Sequence, residues 1–103
     1  MSYQEDVAKA VADPEWQKFR LSLKGLETKE KLHRLLDYFN ESTKEVGVKV
    51  AMGQYSNEEM DQDLTDIRVR VDNYLKALAR GGQIAMTPHY VDDLVNGKLK
   101  VLK

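Results

Sequence analysis

Apolar positions along this chain recur mostly at helical spacing. Leu32, Leu35, Leu36 and Phe39 stand at i, i+3, i+4 and i+7, which lays one buried stripe along a helix capped by Thr28. Met60, Leu64, Ile67, Val71, Tyr74 and Leu78 follow at intervals of four and three, predicting a second long helix that ends at Arg80. Ser56 and Glu59 supply a capping box at its start, and Gly81-Gly82 stops it. Nearer the start, Val7 and Val11 with Ala8 and Ala12 give a short helix over residues 3–12. Asp13-Pro14 then caps and opens another, over residues 14 to 23, with Trp16, Phe19, Leu23 and the stem of Arg20 on its inner face and Gly25 as its stop.

Two stretches read differently. The helical pattern fades between Asn40 and Val46, and Gly47 ends it; Val48, Val50 and Met52 then alternate with Lys49 and Ala51 as in a short strand. Thr87-Pro88 opens a helix over residues 88–95, closed by Asn96-Gly97. Asn-Gly is also a hairpin turn signal, but Asp92 and Asp93 are poor strand residues, which favours the helix. Leu99 and Val101 would form a strand pairing with residues 48–52. The fold class expected is mainly α: one compact domain, residues 1–103, of four to five helices with a minor two-stranded β element.

Composition narrows the function. The chain is 42% hydrophobic and 32% charged with a small net charge, as in folded proteins and unlike disordered ones, and no segment approaches the roughly 18 apolar residues needed to span a bilayer. Its net charge of −1 does not mark a dedicated nucleic-acid binder. No cysteine is present, so disulfides, thiol nucleophiles and cysteine–zinc sites are excluded, and a cytoplasmic location is the default. The opening residues lack the apolar core of a signal peptide.

The charge is banded. Residues 17–34 carry six basic and two acidic side chains, residues 37–66 carry eight acidic and two basic, and residues 67–103 carry seven basic and three acidic. The basic set Lys18, Arg20, Lys24, Lys29, Lys31 and Arg34 makes a candidate basic surface, either a solvated face or a nucleic-acid contact.

Candidate chemistry is thin. Asp61, Asp63 and Asp66 start like a calcium loop, but the required glycine and glutamate positions hold Asp66 and Asp72. His33 with Asp37, and His89 with Asp92 or Asp93, have dyad spacing and no third metal ligand. Gly81-Gly82-Gln83, preceded by Arg80, resembles the tripeptide of class I translation release factors, whose glutamine region positions water on an ester bond. No strongly basic helix follows to hold RNA, and a double-glycine helix stop accounts for the same residues. On that basis Gln83→Ala is expected to leave stability and any cellular activity unchanged. Trp16 to Phe39, an apolar helix followed by a Lys-Gly-Leu-Glu-Thr-Lys linker and a second helix, resembles the first helices of the core-binding domain of tyrosine recombinases, a pattern common to many helical hairpins.

No catalytic residue, cofactor, metal or small-molecule substrate is expected. Val69 and Leu75 lie off the seam of the long helix and widen its apolar arc beside Val71 and Tyr74 of the seam. That arc makes a candidate partner interface, for a second copy in a homodimer or for another protein. The expected function is a non-enzymatic adaptor or inhibitor presenting a helical surface, with a small DNA- or RNA-binding protein as the alternative.

Overall fold

The computed structural model describes residues 3–103, which form five helices: α1 (Tyr3–Val11), α2 (Pro14–Ser22), α3 (Thr28–Ala51), α4 (Asn57–Arg80) and α5 (Tyr90–Val95). The two 24-residue helices set the shape. Each is about 36 Å long at 1.5 Å per residue, and the molecule measures 44 × 28 × 25 Å. They lie antiparallel: Lys49 meets Asp63 through Tyr55 near the connection, Tyr38 meets Arg70 midway, and Thr28 meets Gln83 at the far end.

Local signals set most boundaries. The Asp13 carboxylate accepts the Trp16 N–H at 2.9 Å, and Pro14 fills the first position of α2. Ser56 and Glu59 complete the capping box of α4. Gly82, at φ +74°, ends α4 in a Schellman motif: Gln83 N–H donates to the Leu78 carbonyl and Gly82 N–H to that of Ala79.

The main departure from the sequence reading is in α3. It runs through Gly47 to Ala51, so residues 48–52 are helix and not strand. Val46 is buried and Val50 half-buried, one turn apart, so they extend the inner stripe from Phe39. Val48 and Met52 point outward and stay exposed, and the apparent alternation was two helix faces sampled in turn. The stop is Gly53, at φ +72°, with Gln54 N–H donating to the Lys49 carbonyl. Pairing of residues 48–52 with Leu99 and Val101 is therefore absent. Val101 instead makes one antiparallel bridge with Ile84, flanked by Ala85 N–H to the Lys100 carbonyl (2.9 Å) and Leu102 N–H to the Gln83 carbonyl (2.8 Å). The cap positions also shift: Glu27 precedes α3, and His89 precedes α5. Asn96-Gly97 closes α5, and the hairpin alternative is not formed.

The core is a cluster of Trp16, Leu35, Val71, Leu75, Leu78, Ile84, Tyr90, Val91 and Leu94. α4 is covered on three sides, since α3, α1 and α5 all pack on it. The flank carrying Arg70 meets α1, whose Ala10 carbonyl accepts from Arg70 Nε at 2.7 Å. The flank carrying Arg68 meets α5 through an Arg68–Asp92 ion pair at 3.0 Å. Arg70 thereby satisfies one of the orphan carbonyls at the end of α1, and Gln17 Nε2 satisfies another by donating to Val11.

Candidate functional site

Three-sided cover of α4 decides what its apolar arc does. Val71 and Leu75 are 0% exposed and belong to the chain's own core, so they offer no surface to a partner. Tyr74 is half-buried, its ring edge-on to Trp16 at 6.3 Å, and desolvation raises its phenol above the usual value. Val69 is partly exposed, but it lines a recess shared with Arg68, Asp72, Pro88, His89 and Asp92. The four residues therefore do not form one apolar patch; the surplus width of the arc is taken up by α1 and α5.

The basic residues are also dispersed. Lys18, Arg20, Lys24, Lys29 and Arg34 are exposed and Lys31 is partly covered. At about 100° per residue, Lys29 and Arg34 lie roughly 140° apart around α3, and Lys18 and Arg20 about 160° apart around α2. Arg34 pairs with Glu30 at 2.9 Å, and Arg20 donates to Gln17 at 2.7 Å rather than lining the inner face. They do not share one stripe.

The motifs with chemical overtones are engaged structurally. Asp63 accepts from the Tyr55 hydroxyl at 2.6 Å and Asp66 from Gln62 at 2.9 Å, both along the first turns of α4. His33 and Asp37 stand 3.6 Å apart on an open helix face. Beside His89, Asp92 accepts from Arg68 and Asp93 from Thr87. Among the described residues, no group of three or more His, Asp or Glu side chains could hold a metal ion, and no helix is long and apolar enough to cross a membrane.

Gln83 is not displayed on a mobile tip. Its Oε1 accepts from the Thr28 hydroxyl at 3.2 Å, tying the end of α4 to the start of α3, and its carbonyl accepts from Leu102. Thr28, expected to cap α3, is instead a buried hydroxyl with Gln83 as its partner. That bond gives Gln83 a structural contact that the double-glycine stop alone does not require.

The surface feature that sequence reasoning did not single out lies beside Gln83. Two recesses share Lys29 as a common wall. One, of about 490 Å³, is lined by Leu26, Glu27, Thr28, Lys29, Gln83, Val101 and Lys103. The other, of about 210 Å³, is lined by Lys29, Leu32, His33, Leu36, Leu94, Gly97 and Leu99. Together they form a trough between the first turns of α3 and residues 97–103. Leu26, Leu32, Leu36, Leu94, Leu99 and Val101 supply its apolar lining, and Glu27 is the one acidic side chain among the lining residues. Leu32, Leu36, Leu99 and Val101 are each only partly buried. A usable signal was present: in residues 98–102, Leu99 and Val101 alternate with Lys98 and Lys100, a strand pattern with one apolar face.

A second polar cluster sits at the α3–α4 connection. Lys49 Nζ donates to the Tyr55 hydroxyl at 3.4 Å, which donates onward to Asp63. The bond to Asp63 raises the Tyr55 phenol, and the bond to Tyr55 raises the Lys49 ammonium. Both bonds favour the protonated form, as a structural clasp between α3 and α4 requires. The chain is thus a small all-helical domain without a catalytic motif. No protein-family model matches it, and neither the curated proteins nor the solved structures contain a significant match.

Proposed function

We propose that this chain is a non-enzymatic interaction protein, an adaptor or inhibitor, whose docking surface is the trough between α3, α5 and residues 97–103. The observation that carries the reading is that Leu32, Leu36, Leu99 and Val101, though packed at the edge of the core, keep part of their surface open along these two recesses. An apolar floor with a few polar groups at its edge is the usual anatomy of a protein docking patch. The polar and charged clusters elsewhere support this indirectly, because their members bond to one another.

The test is capture by the immobilised protein from nuclease-treated host extract, at low and high salt. The expected result is a protein retained at both salt levels and lost with Lys29→Glu, with the thermal melt unchanged because Lys29 is exposed. Retention of nucleic acid instead, falling steeply with salt, would replace this reading with the nucleic-acid one.

A further inference from the structure

We infer that the trough takes an extended acidic peptide segment of a partner protein, which adds a strand to the open edge of residues 98–102; this rests on the docking reading above. In an extended segment, successive residues direct their backbone groups to opposite edges. The edge formed by Lys100 and Leu102 is engaged with Ala85 and Gln83. The opposite edge, carried by the amides of Leu99 and Val101, makes no backbone hydrogen bond among the described residues. An unpaired edge beside an apolar trough is the geometry that strand addition uses.

Length and alternation fix the shape of the occupant. From Thr28 to Leu36 the trough follows α3 for about 12 Å at 1.5 Å per residue, which matches about four extended residues at roughly 3.3 Å each. Leu99, Val101 and Lys103 line the recesses, whereas Lys98, Lys100 and Leu102 are exposed on the other face of the segment. A paired strand would therefore place alternate apolar side chains beside Leu99 and Val101, and the intervening ones beside Lys98 and Lys100.

Charge selects among occupants. Residues 97–103 carry Lys98, Lys100 and Lys103 and no acid. Lys29 and Lys103 line the trough against Glu27 alone. A second copy paired edge to edge would set lysines against lysines, the arrangement by which edge strands resist self-association. Alternating acidic and apolar residues satisfy both faces, because opposite charges across neighbouring strands attract.

The experiment is an amide NMR titration of the whole chain with a capped peptide of alternating glutamate and valine, seven residues long. The same peptide with lysine for glutamate is the control. The expected result is saturable shifts of the Leu99 and Val101 amides, with the lysine peptide binding about tenfold more weakly. The double variant Lys98→Glu, Lys100→Glu should reverse that preference, and both positions are exposed, so the fold should survive. Absence of shifts at Leu99 and Val101, equal binding of the two peptides, or an unreversed preference overturns the inference. So does tighter binding of an oligothymidylate at the same amides. If the peptides fail while Lys29→Glu still abolishes protein capture, the docking surface stands and the extended acidic occupant falls.

Discussion

Trp16→Ala should be the most damaging simple truncation in the protein. Trp16 is 1% exposed and is the one buried side chain of α2, a nine-residue helix too short to persist alone. Its ring lies 5.1 Å from Tyr38, 5.8 Å from Phe19 and 6.3 Å from Tyr74, so it joins α2 to both long helices. Removing a buried tryptophan costs about 3–5 kcal/mol, against a total of roughly 5–15 kcal/mol for a domain of this length. With a urea slope of about 2 kcal/mol per molar, the midpoint should fall by about 2 M. Circular dichroism is the proper signal, because the variant lacks the only tryptophan. Trp16→Phe keeps a ring and should lose less than half as much. A Trp16→Ala loss below about 0.5 kcal/mol, the range of ordinary surface changes, would mean that α2 does not pack as described.

Three further outcomes follow from particular contacts. Gly47→Ala should stabilise by about 0.5–1 kcal/mol, because Gly47 sits inside α3 with open space where a Cβ would go; a loss in a thermal melt would restore a break in the helix there. Thr28→Val and Gln83→Ala should each cost about 1 kcal/mol, and the double variant little more than either, since they share one bond; full additivity in chemical denaturation would deny the tether. Tyr55 has a raised phenol pKa, chiefly from its bond to Asp63, and Lys49 is raised by its bond to Tyr55. The fold favours the protonated form of each, so their contribution is complete below the unfolded values near 10 and disappears as pH climbs through the raised ones. Tyr55→Phe should therefore flatten the decline in stability above about pH 10, and an unchanged alkaline slope would refute the clasp.

Where the sequence reading succeeded, local chemistry and periodicity agreed. Asp13-Pro14, Ser56 with Glu59, and Gly81-Gly82 each act within a few residues, and they bound α2 and α4 where expected. Gly47 misled because its intrinsic cost in a helix, about 1 kcal/mol, is outweighed by burial of Val46 and packing of Val50, which depends on α4 being alongside. The partner interface proposed for α4 failed at Val71 and Leu75 for a related reason. A single helix shows how wide its apolar arc is, but not how many neighbours share it, and here α1 and α5 join α3. The trough was the least legible feature. It brings Leu32 and Leu36 together with Leu99 across more than sixty positions of chain, and such proximity exists only once the fold does. Gln83 is the intermediate case: its motif was visible, but its bond to Thr28, 55 positions away, was not.

The central claim is that partners bind on the trough and not on the outer face of α4. Amide hydrogen exchange of the protein, alone and with its captured partner bound, tests this most directly. Added protection should be confined to residues 26–36 and 97–103, with the amides around Val69 exchanging as in the free chain. Protection centred on Val69 and the outer face of α4, with residues 97–103 unaffected, would contradict the claim.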